Sequence, residues 1–271
     1  MRQKERLLVI LPLLVLFGYF FLYPLTVLAA ASFKTGESVT LGNYIKLFSE
    51  PYYYQALINS LCLSVAVTVV SLAIAGVLAF FLARTHFPGK TFYFSLLTFP
   101  ISFPGVVVGF MIIILFGSTG VIPLAAQALF GKKLLAVSYT IAGIFLAYLY
   151  FEIPRMLMTV YGSITECDPV LEEAARTLGA NNWQAIRFVV LPTVAPAFIS
   201  AGALAFSTSM SAFGTAFTLA NQFNIFPILM YNEYTLFFKV EMASAIAIVI
   251  GILCITTNYG CRFLLERTDR R

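Results

Sequence analysis

The chain has 271 residues, of which 60% are hydrophobic and only 11% charged, against roughly 25% charged in an ordinary globular domain. This excludes a water-soluble fold for most of its length and points to lipid as the solvent. Its net charge of +5 could serve nucleic acid, but no basic cluster lies on a soluble segment, so no nucleic-acid partner is expected.

The first apolar run, Leu7 to Ala31, follows Arg2, Lys4 and Arg6 and ends on Ala29-Ala30-Ala31, a candidate signal-peptide cleavage site. The run is well beyond the roughly 7 to 15 apolar residues of a signal core, so a retained anchor is predicted. Charges and turn residues mark further spans near 57–83, 92–117, 135–154, 189–218 and 241–263, each suited to the about 20 residues that a crossing takes. Backbone amides in lipid must be paired within their own segment, and no strand-like alternation is present, so all six spans are predicted to be helices. The expected fold is an all-α polytopic membrane protein with one transmembrane domain over 1–271.

Orientation follows from the basic residues. Arg2, Lys4, Arg6, Arg84, Lys90, Arg155, Arg176, Arg187, Arg262, Arg267, Arg270 and Arg271 fall on one face, and Lys34, Lys46, Lys132, Lys133 and Lys239 on the other. The richer face is predicted to be cytoplasmic, with both termini there.

Taken in chain order, the connecting segments and spans then yield their candidates. Cys62, Cys167, Cys254 and Cys261 lack framework spacing and read as small apolar residues, and His86 has no ligand partner in sequence, so neither a disulfide nor a metal site is expected. Gly89-Lys90-Thr91 imitates the end of a phosphate-binding loop, but Arg84 stands where its first glycine belongs, so no nucleotide cofactor is expected on this chain. In the third span, Pro100 and Pro104 predict a kink. Gly105 and Gly109 have the spacing of closely approaching helices, whether for packing alone or in a pathway wall. Glu152 is the one acid close to a membrane interior and reads as a structural ion pair with Arg155.

The segment 155–188 is predicted to be a cytoplasmic loop with structure of its own. Asp168-Pro169 is a helix start and Gly179 a helix stop. Between them Val170, Leu171, Ala174, Ala175 and Leu178 share one face, while Glu172, Glu173 and Arg176 lie elsewhere on the surface. A second helix can begin at Asn181, with Gln184 completing a capping box, and run until Pro192 disturbs its hydrogen bonds. The fifth span beyond is rich in hydroxyls. With Pro100 and Pro104, its Ser207, Ser209, Ser211 and Thr215 are the candidates for lining a path that must release its solute.

Glu173-Ala174-Ala175, three residues, Gly179, nine residues and Val189-Val190-Leu191-Pro192 resemble the EAA loop of binding-protein-dependent ABC importer permeases. Only Val189 departs from the family's isoleucine. Leu41-Gly42-Asn43-Tyr44, Asn59-Ser60-Leu61 and Pro154 are similar to positions elsewhere in that family. The resemblance implies that the loop helix couples to a separate ATPase, with Asp168, Glu172, Glu173, Ala174, Ala175, Gly179, Leu191 and Pro192 as the coupling residues. It further implies two ATPase subunits carrying ATP and Mg, a second permease subunit, identical or paralogous, and an extracytoplasmic solute-binding protein. The setting would be a bacterial inner membrane and the solute small and charged, in the manner of polyamines, ferric ion, phosphonates or sulfate.

Two other functions fare worse. An ion-coupled secondary transporter would need buried acids along its spans, and only Glu152 is on offer. An intramembrane enzyme would need a nucleophile elbow, a metal motif or paired carboxylates, and the spans hold none.

Overall fold

A computed structural model describes residues 3–36, 38–220 and 223–268. Arg2, Arg270 and Arg271, which enter the orientation count, lie outside the described residues. Among the described residues, six helical runs are long and apolar enough to cross a membrane: Ile10–Ser32, Pro51–Arg84, Gly105–Phe130, Ile141–Glu166, Asn182–Ser211 and Val240–Phe263. The protein is all-α and polytopic, apart from one very short hairpin. Its residues fall into two compact units, Met1–Ala56 with Leu229–Ile252, and Leu57–Ile228 with Leu253–Arg271.

In the first unit, α1 (Gln3–Phe17) runs through a π-helical turn at Gly18–Leu22 into α2 (Tyr23–Ser32). The side chains from Ile10 to Leu25 lie largely exposed, so this span is held by little of its own chain. Strands β1 (Lys34–Thr35) and β2 (Ser38–Val39) pair antiparallel, and α3 (Gly42–Ser49) comes next. Asn43, buried on α3, donates to the carbonyls of Ser32 (3.0 Å) and Lys34 (2.7 Å). One amide thus satisfies the end of α2 and the start of the hairpin. Tyr53, near the start of α4 (Pro51–Arg84), donates at 3.0 Å to Glu233.

The second unit takes in α4 from Leu57 onward. After it come α5 (Lys90–Thr98), a 3-10 turn (Phe99–Ser102), α6 (Gly105–Phe116), α7 (Val121–Phe130) and α8 (Ile141–Glu166). The predicted third span, 92–117, is therefore broken at Pro100 and Pro104, and the helical run able to cross starts at Gly105. Pro104 has extended backbone and supplies no N–H, which suits the position before a helix. Pro154 behaves differently. The predicted fourth span ends there, but α8 continues twelve residues past it to Glu166. A proline costs one helical hydrogen bond, and here Met156, Leu157, Val160 and Ile164 are buried against Ala75, Ala79 and Leu82 of α4 in the next turns, which outweighs that loss. The cytoplasmic loop predicted at 155–188 shrinks accordingly.

Next come α9 (Pro169–Thr177), α10 (Asn182–Ala185), a π-helical turn (Ile186–Val190) and α11 (Leu191–Ser211). The predicted fifth span, 189–218, breaks at Ala212, where the chain turns into the short α12 (Phe213–Leu219). Tyr148 of α8 donates to the Ala212 carbonyl at 2.8 Å, so the exposed backbone of the break is paired inside the protein. An unpredicted helix, α13 (Phe226–Thr235), precedes α14 (Val240–Thr268). Its start is pinned by the segment Asn59-Ser60: Asn59 donates to Asn224 O at 3.1 Å and Phe226 N–H donates to Ser60 Oγ at 2.8 Å.

Candidate functional site

The connection between α8 and α11 is assembled by local rules. Asp168 caps α9, its carboxylate accepting from Val170 N–H at 2.9 Å, and Pro169 takes the first position, where no N–H is needed. The helix ends in a tight reversal: Gly179 N–H donates to Arg176 O at 2.9 Å and Ala180 N–H to Ala175 O at 3.1 Å. Gly179 has φ +90°, which only glycine adopts at no cost. Asn181 and Gln184 form a reciprocal capping box, both bonds 2.8 Å. Pro192 cannot donate to the preceding turn, and the helix before it widens into the π-helical turn at 186–190, against which α9 rests.

The orientation of α9 is not legible in the sequence. Glu172 is turned inward, 5% exposed, and binds Arg84 at the end of α4, with Nε to Oε1 at 2.7 Å. Arg176 stands 3.8 Å from its other oxygen. Of the polar residues of α9 only Glu172 is turned in, since Glu173, Arg176 and Thr177 are exposed, and the large apolar residues also face out: Val170, Leu171 and Leu178 are exposed, Leu178 to 90%. Glu173 and Ala174 are exposed beside them and Ala175 half-buried. Leu191 and Pro192 are exposed after the π-helical turn. Of the expected coupling residues from Asp168 to Gly179, Asp168, Glu173, Ala174 and Gly179 are exposed and Ala175 is half-buried, while Glu172 is turned away from them into the protein.

The candidate pathway residues are less united. Pro100 and Pro104 bracket the break before α6. Thr215 is buried on α12 against Gly105, where a built Cβ would meet its hydroxyl at 2.8 Å. A side chain on Gly109 would collide with Thr218, so the two glycines let α6 and α12 touch backbone to backbone. Ser207 accepts from Asn258 Nδ2 of α14 at 2.6 Å. Ser209 is buried within the second unit, whereas Ser211 is exposed and donates to Ser207 O at 2.9 Å.

Glu152 is fully buried. It accepts from Thr208 and, at 3.2 Å, from Arg155, while its second oxygen has no partner among the described residues. The ion pair read from the sequence is present. A second buried acid, which the sequence reading does not single out, is Glu233 on α13, 1% exposed and outside the six candidate spans. Sequence reasoning misses it because α13 falls between the predicted spans, and nothing local marks its partner Tyr53, far back in the sequence.

Residues 75–270 match the model of the binding-protein-dependent transport system inner membrane component family. The chain belongs to this family. It is 32% identical over 203 residues to the sulfate transport system permease protein CysT of Escherichia coli K12, covering 72% of this chain and 70% of that protein. It is also 32% identical over 168 residues to the molybdenum transport system permease protein ModB of the same organism, covering 62% and 72%. Among solved structures, a chain of a bacterial alginate ABC transporter in complex with a pentasaccharide-bound periplasmic protein superposes with a TM-score of 0.84 over 98% of this chain and 95% of that one, at 17% identity. A chain of the MetNI methionine ABC transporter superposes with a TM-score of 0.59 over 81% and 99%, at 16% identity. The protein is thus a multi-pass permease subunit of an ABC importer. It is not an enzyme: ATP hydrolysis in such importers resides on a separate subunit.

Proposed function

We propose that residues 1–271 work as one permease domain and that α9 is its coupling helix, docking with its outward face on an ATPase subunit at the cytoplasmic side. The observation that carries this reading is the exposed apolar side of α9: Glu172 is bound inward, while Val170, Leu171 and Leu178 are left uncovered by this chain. A helix so placed gains burial only from a partner. Ala174 and Ala175 keep the contact shallow, and exposed Glu173 offers a carboxylate to a basic residue of the ATPase.

The complete importer has two ATPase subunits that bind ATP and Mg, a second permease subunit, identical or paralogous, and a soluble binding protein on the far side of a bacterial inner membrane. Both termini of this chain face the cytoplasm. The solute is a small charged one, and the relatives named for sulfate and molybdenum favour a tetrahedral oxyanion. The path runs past Pro100, Pro104, Ser207, Ser209, Ser211 and Thr215, whose hydroxyls can hold an oxyanion without the full charge that would trap it.

The test is purification of the tagged chain from its native membrane in mild detergent, with stoichiometric companions identified by mass spectrometry. An ATPase subunit is expected with the wild-type chain and is expected to be lost with Glu173→Lys. A chain that elutes alone after gentle crosslinking would overturn the reading.

A further inference from the structure

The ion pair on Glu172 belongs to a larger joint. Arg84 is the last residue of α4, and its guanidinium makes contacts in two directions. Toward α9, Nε and Nη2 both lie 2.7 Å from Glu172 Oε1. Toward α8, Nη2 donates at 3.0 Å to the carbonyl of Cys167, the residue that ends that helix. One planar fork therefore ties the ends of α4 and α8 to the side of α9, neutralising a buried carboxylate and pairing a carbonyl left without a helical partner.

We propose that Arg84 is the positioning residue of the coupling helix. It holds α9 by Glu172 against the ends of α4 and α8, so that Val170, Leu171 and Leu178 are presented outward. The inference rests on the coupling role proposed for α9 and adds the element that sets its attitude. It also names a second route out of the loop. Alongside the chain connections to α8 and α11, a push on α9 passes across the guanidinium into α4, which is 83 residues away in sequence from Cys167 and 88 from Glu172.

Without Arg84, Glu172 keeps only Arg176, 3.8 Å away and half exposed on the same helix. A carboxylate that has lost its buried partner moves toward water, and α9 must roll or loosen to let it. A lysine at position 84 brings the charge but not the fork, and reaches one partner where arginine reaches two.

Two measurements on the full-length protein test this. The first is hydrogen exchange of the α9 amides in the purified chain. Exchange in R84A is expected to be about tenfold faster than in the wild type, with R84K between them. The second is affinity for the ATPase subunit, expected to fall about tenfold in R84A and by less in R84K. Unchanged exchange in R84A would overturn the proposal. Should R84A fail to insert, R84K decides: a folded R84K chain whose α9 exchanges as slowly as the wild type sinks the clamp. A wild-type chain that binds no ATPase would instead sink the coupling role, while the exchange data would still judge Arg84.

Discussion

Gly179 and Gly109 are both indispensable as glycines, for opposite physical reasons. Around Gly179 a Cβ would meet nothing within 4 Å, but the backbone sits at φ +90°. Gly179→Val is expected to cost roughly 1–2 kcal/mol locally, leaving the protein inserted while uncoupling ATP hydrolysis from transport in proteoliposomes. Asp168→Ala removes one helix cap and should destabilise α9 by about 1 kcal/mol, read as faster exchange of the Val170 amide. These residues are legible because caps and reversals act over two or three positions, so the order Asp-Pro, then Gly, then Asn with Gln contains the whole instruction. Arg84 and Glu233 are not. Each acquires its role from a partner more than eighty residues away, and in the sequence Arg84 counts only as one more cation on the richer face.

At the scale of elements, the long apolar runs specify helices but not where they break. Pro100 and Pro104 interrupt one span and Pro154 leaves another intact, although all three lie in comparable apolar stretches. The difference lies in the packing beyond each proline. Past Pro154 the helix enters the core shared with α4, whereas past Pro104 it restarts as α6 to lie on α12. The Gly105 and Gly109 spacing correctly implies close approach, but the partner is a helix that exists only because the fifth span breaks at Ala212. Gly109→Leu should force α6 and α12 apart at a cost of roughly 1–3 kcal/mol or more. The expected outcome is a lower thermal midpoint in detergent, and an unchanged midpoint would mean that the two helices separate freely.

For the whole molecule, the proposed orientation, with α9 on the cytoplasmic side, is testable without knowing the solute. Green fluorescent protein fused at the C-terminus should fluoresce and alkaline phosphatase fused there should be inactive, while phosphatase inserted after Lys132 should be active. The reverse pattern would put α9 out of reach of any cytoplasmic ATPase. The length of α4 bears on the same geometry. Its 34 residues make a rod of about 51 Å at about 1.5 Å per residue, against a hydrocarbon layer of about 30 Å. Even at a tilt of about 40°, the steep limit for membrane helices, it still rises about 39 Å, so part of it stands clear of the lipid tails as a stalk. Bilayer thickness then sets how much of that stalk is free, and the lipids around the protein become a determinant of its leverage.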